Sequence, residues 1–298
     1  MIAIARTFAL AGIDAEPVHV EVDVGGGLPA FTVVGLPDAA VRESRERVRA
    51  ALLNSGFDFP LRRITVNLAP AHLPKAGPGF DLGIAAGLLV ASGQVPSGVL
   101  ERFALAGELA LDGSIRPVPG ALAMAEGARG LGLRGIAVAH ADASQAALIE
   151  EIQVVALEHV AQLRELSEGC LPAVERNGTP AAPGPAVPDL ADLKGQPAVR
   201  SALEVAAAGG HSMLLVGPPG VGKTLAARRL PSLLPPLGRA ELLEVARIAG
   251  ACGERGMLSA ARPFRAPHHT VSGRALIGGG SPPRPGEVTR AQPTVRTT

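Results

Sequence analysis

The sequence predicts an α/β fold in two parts: a mixed α+β domain over residues 1–170 and an α/β domain over 189–298, joined by a linker at 171–188. Three observations predict it. Through the first part, apolar runs of strand length are interleaved with helical periodicity. Between 171 and 188 stand Pro172, Pro180, Pro183, Pro185 and Pro188 with no apolar period, the composition of an extended linker. In the second part a short apolar run, a glycine-rich turn and a helical pattern follow one another around Gly217–Thr224.

The elements follow in order. His19–Val24 alternates as a half-buried strand, the glycines 25–27 break it, and Ala30–Val34 resumes as a second strand. Asp38–Ser55 reads as an amphipathic helix, with Val41, Val48 and Leu52 on one face and Arg42, Glu43, Arg45, Glu46, Arg47 and Arg49 on the other. Asp38 suits its N-cap and Gly56 its stop. Ile64–Leu68 is a strand and Asp81–Ser92 an apolar helix. Phe103–Leu111, interrupted by Gly107, and Gly135–Ala139 are further strands. Gly120–Leu131 and Ala143–Glu150 are helices. Beyond the linker, Gln196–Ala208, Leu225–Leu230 and Arg239–Ala249 are helical, and His211–Val216 is a short buried strand. After Gly250 the pattern turns irregular.

At 298 residues and 47% hydrophobic content the chain can form real cores. It has no apolar run of about 18 residues, and its N-terminus lacks the basic start and continuous apolar core of a signal peptide, so a cytoplasmic protein is expected, with no membrane partner. Two cysteines, Cys170 and Cys252, make neither a disulfide framework nor a four-cysteine zinc site. A net charge of +1 hides an asymmetry: residues 1–188 carry 14 basic and 20 acidic side chains, residues 189–298 carry 14 basic and 7 acidic. The second part is therefore basic, which suits polyphosphate or nucleic acid as well as solvated helix faces.

Gly217, Pro218, Pro219, Gly220, Val221, Gly222, Lys223 and Thr224 fit G-x-x-x-x-G-K-[ST], the P-loop. The glycines let backbone N–H groups face phosphates, and the following helix adds positive potential. Lys223 is expected to reach the β- and γ-phosphates and Thr224 to help hold Mg²⁺. Chance in a chain of 37 glycines is the competing reading. The scarcity of lysine, only Lys75, Lys194 and Lys223, counts against it.

Longer blocks carry a resemblance: Phe31-Thr32-Val33-Val34-Gly35-Leu36-Pro37-Asp38, Ile64–Pro70, Gly107–Gly113, the P-loop, and Arg262–Thr270 followed by Ala275–Gly280. With these the chain resembles the ComM/YifB family of magnesium-chelatase-like AAA+ ATPases, over nearly everything up to Glu287. The resemblance implies a domain with the fold of the Lon protease domain (ribosomal S5 domain 2-like), then an AAA+ module that uses ATP and Mg²⁺. It also implies assembly into a homo-oligomer, a hexamer in the intact family. ComM proteins look like DNA branch-migration motors of natural transformation, so branched or single-stranded DNA is the implied partner.

The chain departs from the pattern in two places. Where Lon-type peptidases carry a Ser–Lys pair, the corresponding positions fall on Gly79 and Leu122, which supply neither nucleophile nor base. Ser92 and Lys75 have no spacing that suggests they meet. A scaffold or assembly role is expected instead. After Pro285-Gly286-Glu287, the family pattern runs into an apolar strand ending in Asp-Glu, the Walker B element. Val288–Thr298 here is polar and without acids, and the sensors and arginine finger expected later are missing too. A frameshift, a truncation or a short form is the expectation, with weak nucleotide binding and little hydrolysis.

Arg262, Arg265, His268, His269 and Arg274 cluster between P-loop and tail. The resemblance implies a loop able to face a central pore, so contact with DNA phosphates is one reading and packing the other. Adjacent His268 and His269, expected to diverge on a strand, lack a third ligand at metal spacing. Seven phenylalanines with no Tyr or Trp offer no evident base-stacking platform. Gly195-Gln196 sits where the resemblance implies contact with adenine, or else caps a helix. The competing functions are a ComM-type motor, a chelatase-like accessory ATPase, and a non-catalytic assembly module.

Overall fold

Apolar residues at alternate positions draw the first 25 residues into a hairpin, β1 (Ile2–Ala11) and β2 (Asp14–Gly25), closed at Gly12 with φ +70°. The computed structural model describes residues 2–175, 188–254, 261–280 and 283–292. Most of the predicted linker and the end of the polar tail, from Pro293, lie outside the described residues. The chain divides into two compact units, Met1–Asn177 with Gly250–Glu254, and Gly178–Ala249 with Arg255–Thr298.

The first unit continues with β3 (Ala30–Val34), α1 (Ala39–Arg42), α2 (Ser44–Asn54), β4 (Arg63–Ala69), α3 (Asp81–Ala91) and α4 (Gly98–Arg102). Then come β5 (Phe103–Ala106), β6 (Glu108–Leu109), β7 (Ile115–Arg116), α5 (Ala121–Gly130), β8 (Gly135–Ala139), α6 (His140–Ala146), β9 (Gln153–Leu157) and α7 (Leu163–Glu168). Seven strands form one mixed sheet in the order β3-β4-β2-β1-β5-β8-β9, and β6 and β7 pair separately. The pairs on the β5–β8–β9 side are parallel, and β2 runs antiparallel to both its neighbours. The α/β class is as the sequence predicts.

Helix α3 is buried at every residue, as a helix apolar all round must be. Gly87 brings it down onto β2, since a Cβ there would lie 2.7 Å from Val22 Cγ2. Gly127 of α5 approaches Phe8, whose side chain points to the sheet face opposite Thr7, so helices cover both faces. Gly35 is as tight: its Cβ would fall 2.1 Å from the Leu68 carbonyl oxygen, and its φ is +98°.

Several boundaries differ from the sequence reading. The helix expected over Asp38–Ser55 is two helices, α1 and α2. Arg47 Nη2 donates to the Ala40 carbonyl at 2.8 Å, the acceptor an unbroken helix would give to the Ser44 N–H. Asp38 caps α1 as expected, accepting from Val41 N at 2.8 Å, and its other oxygen accepts from Gly77 N. The helix expected over Ala143–Glu150 starts earlier, directly off β8, and ends at Ala146, where the chain heads for a turn with Glu151 at φ +64°. β1, β7, β9, α4 and α7 are additional elements. Small alanines at the buried positions of β1 blunt its alternation.

The second unit holds α8 (Pro197–Gly209), α9 (Lys223–Ala227), α10 (Leu230–Leu233), α11 (Arg239–Ala251), α12 (Gly273–Ile277), β10 (Gly278–Gly279), β11 (Arg284–Pro285) and α13 (Glu287–Arg290). One of its apolar clusters joins Leu190, Leu193, Leu203, Ala226 and Leu230, with Met213 and Leu215 packed against it. The helix expected over Leu225–Leu230 ends at Ala227, because Pro231 has no N–H for the Ala227 carbonyl and sits in the first turn of α10 instead. The strand expected over His211–Val216 joins no sheet among the described residues. No helix among them is long and apolar enough to cross a membrane.

Where α3 begins, Asp81 is fully buried and accepts from Arg47 Nε at 2.6 Å, Arg47 Nη2 at 3.0 Å and Leu109 N at 3.3 Å. Burial pushes its carboxyl from 3.8 up to about 6, against the pull of the Arg47 guanidinium. In that window the folded chain keeps a proton that the unfolded chain releases. Stability from this group is therefore greatest near the lower value and declines as pH rises through the window. Denaturant titrations at pH 4 and pH 6.5 are expected to show this component, roughly 2 kcal/mol, in the wild type and not in Asp81→Asn. Parallel pH profiles for the two proteins would contradict it.

Candidate functional site

The glycine-rich loop leaves the core with its apolar run. In the extended segment before it, Met213 and Leu215 turn inward, while Leu214 and Val216 stand 84% and 85% exposed. Gly220 and Gly222 then take φ +85° and +88°, a left-handed backbone that disfavours side chains. Lys223 Nζ donates to the Gly217 and Pro218 carbonyls at 2.7 and 2.8 Å, which closes the loop on its own lysine. Thr224 follows in the first turn of α9, exposed, its hydroxyl without a hydrogen-bond partner among the described residues. The arrangement fits a polyphosphate with its metal: an ammonium held only by loop carbonyls, an open hydroxyl, and glycines in left-handed conformation that can turn N–H groups outward. A cavity of about 780 Å³ lies beside it, lined by Leu203, Met213, Leu215, Lys223, Thr224 and Phe264 among others.

Gln196, flagged on family grounds for adenine, is the N-cap of α8 in a left-handed conformation (φ 49°, ψ 55°). Its side-chain Nε2 donates to the Val221 carbonyl at 2.9 Å, so it touches the P-loop directly. Nothing in the sequence spacing of 25 residues signals that contact.

The two positions corresponding to a Ser–Lys pair lie apart from any such chemistry. Gly79 sits in a single 3-10 turn, where an added Cβ would meet Val118 Cγ1 at an ordinary 3.5 Å, so space does not exclude a larger residue. Leu122 is buried in α5. Lys75 is also buried, its ammonium donating to the Pro70 carbonyl. The Ser92 hydroxyl donates to Leu89 O and accepts from Gln94 Nε2.

The basic cluster separates into two groups. Arg262 donates to Pro235 O at 2.7 Å and pairs with Glu241 at 3.3 Å. Arg265 grips Glu287 with both Nε (2.7 Å) and Nη2 (2.6 Å), and Arg290 adds a third contact at 3.1 Å. Arg265 in turn holds the Glu287 carboxyl below its usual range. These two arginines pin the irregular segment to α11 and α13. His268, His269 and Arg274 stay exposed. The histidines do not diverge on a strand: their ring centroids are 4.1 Å apart at 39°, with His268 Nδ1 hydrogen-bonded to Thr270 Oγ1.

A glycine-rich loop closed on its lysine, between an apolar extended segment and a helix, defines a P-loop protein. Comparison with known families and proteins takes this further. The family described as subunit ChlI of Mg-chelatase matches residues 20–142, and magnesium chelatase, subunit ChlI, matches 189–296. YifB of Salmonella typhimurium is 45% identical and YifB of Escherichia coli 42%, each over 97% of this chain and 58% of its own length. The competence protein ComM of Haemophilus influenzae is 39% identical over the same shares. The chain belongs to the magnesium-chelatase-like family of YifB and ComM, and spans about three fifths of the length of these relatives.

The division of the arginines is open to measurement. Arg265→Ala removes a bidentate pair and leaves Glu287 with Arg290 alone, and is expected to lower the melting temperature of the second unit by several degrees. Arg274→Ala, on the exposed face of α12, is expected to leave it within about a degree. Equal effects in differential scanning calorimetry would refute the division.

Proposed function

We propose that this chain binds Mg·ATP at residues 217–224 and belongs to an ATP-driven, homo-oligomeric motor that acts on branched or single-stranded DNA in the manner of ComM. The observation that carries the nucleotide part is the loop itself: left-handed Gly220 and Gly222 with the Lys223 ammonium resting on loop carbonyls. An incoming polyphosphate gives that ammonium stronger, charged acceptors, so Lys223 exchanges two neutral carbonyls for phosphate oxygens. Thr224 Oγ1 is positioned to hold the metal, and Mg²⁺ supplies charge neutralisation on the phosphates when bound.

The DNA part rests on His268, His269 and Arg274, the exposed members of the basic cluster, in a stretch, 189–298, with twice as many basic as acidic residues. Assembly into a hexamer rests on family membership. For these 298 residues we propose nucleotide binding with little turnover. Of the four acids that follow the P-loop in sequence, Glu241, Glu244, Glu254 and Glu287, none ends an apolar strand among the described residues, and Glu241 and Glu287 are committed to Arg262 and Arg265. Without a carboxylate placed at a strand end to orient water, a phosphate site loses most of its transition-state stabilisation.

Isothermal titration with Mg·ATP tests the nucleotide reading: Lys223→Ala is expected to bind at least about tenfold more weakly, the loss of one charge-assisted contact. Unchanged affinity would sink it. Fluorescence anisotropy with a four-way junction and with single-stranded DNA tests the other part. The triple variant His268→Ala, His269→Ala, Arg274→Ala is expected to bind roughly tenfold more weakly, with a shallower salt dependence. Wild-type DNA affinity and salt slope in that variant would remove the DNA contact from this segment.

A further inference from the structure

We propose that Gln196 is a positioning residue that sets the orientation of the Val221–Gly222 peptide and so prepares the P-loop for an anion. The proposal rests on the nucleotide reading of the loop and adds a residue outside the motif to it.

Val221 lies between two glycines in left-handed conformation, Gly220 at φ +85° and Gly222 at φ +88°. Glycine crosses between left- and right-handed regions with little steric resistance, so the peptide between Val221 and Gly222 is free to flip unless something holds it. The Gln196 amide holds it, with Nε2 2.9 Å from the Val221 carbonyl oxygen. A trans peptide carries its C=O and N–H on opposite sides. Fixing the carbonyl toward Gln196 therefore fixes the Gly222 N–H the other way, as a donor that an anion in the loop can use without reorganisation.

The backbone of Gln196 points to the same role. An N-cap side chain ordinarily accepts from its own helix, but here none does, and only the Gln196 carbonyl serves α8, accepting from Val199 N at 3.0 Å and Arg200 N at 3.2 Å. Gln196 also holds a left-handed conformation that a non-glycine residue adopts only under constraint, directly before Pro197. That conformation frees the amide from its own helix to reach the loop. The role differs from contact with adenine, because it acts on the phosphate cradle and is indifferent to the base.

Gln196→Gly keeps the left-handed cap without strain and deletes the amide; Gln196→Glu keeps the length but cannot donate. Both are measured by isothermal titration with Mg·ATP and with inorganic tripolyphosphate, and by hydrogen exchange of the ligand-free 217–224 amides. Both variants are expected to bind the two ligands roughly three- to tenfold more weakly, by the same factor, the worth of one neutral hydrogen bond. Loop exchange is expected to accelerate, with no fall in the melting temperature of Gln196→Gly. Undiminished affinity for both ligands overturns the proposal. A loss confined to ATP makes Gln196 a base contact and overturns it equally. If the wild type binds neither ligand, the nucleotide reading fails on its own; the orienting contact is then judged by hydrogen exchange, and an unchanged loop overturns it.

Discussion

Helix α3 has no polar face, and the first unit is organised by the need to enclose it. All eleven residues from Asp81 to Ala91 are buried. Such a helix is stable only with protein on every side, so it needs the sheet beneath it, α2 beside it, and a close approach that Gly83 and Gly87 allow. The exception to its apolar character, Asp81, sits where the helix starts, and its burial dictates its partner: a carboxylate taken out of water needs a guanidinium with several donors. Arg47 supplies two of them and uses the same guanidinium to take the Ala40 carbonyl, which parts α1 from α2. One buried charge thus accounts for both the docking of α2 and the break in the helical pattern that precedes it.

The second unit shows the opposite condition, a backbone whose pairing is not met among the described residues. An extended run with one side chain in two turned to a core is half of a strand's environment. Its N–H and C=O groups form no ladder there, and Leu214 and Val216 face outward. The geometry of the P-loop survives this because the loop is tied locally, by Lys223 to Gly217 and Pro218 and by Gln196 to Val221, rather than through a sheet.

What was legible in the sequence follows from the range of the forces involved. β3 and β8 have the predicted bounds because glycines and turns bracket short apolar runs, and both signals are local. The P-loop was legible as a motif for the same reason. The helix break at Glu43 was not, since it depends on Arg47 meeting a carboxylate 34 residues away. The basic cluster was read as a group because its members are neighbours in sequence. Their carboxylate partners lie 21 and 22 residues off, so the division into structural and exposed cations emerges only in three dimensions. Gln196 belongs with these: its chain position hints at the site, but its role depends on a contact across 25 residues.

The lysine of the loop links the site to its surroundings. Resting on two carbonyls of its own loop, Lys223 keeps Gly217 and Pro218 from drifting while no anion is present. Gln196 does the same for the far end of the loop at Val221. The two contacts act on opposite ends of one short segment and are unlike in kind. The first involves a charged donor that a phosphate can compete for, whereas the second is neutral and has no reason to break when the anion arrives. Binding can thus draw the ammonium away while the amide continues to hold the peptide. The loop then changes its charge contacts without losing its shape, which keeps the entropic penalty of ordering it small at the moment a ligand binds.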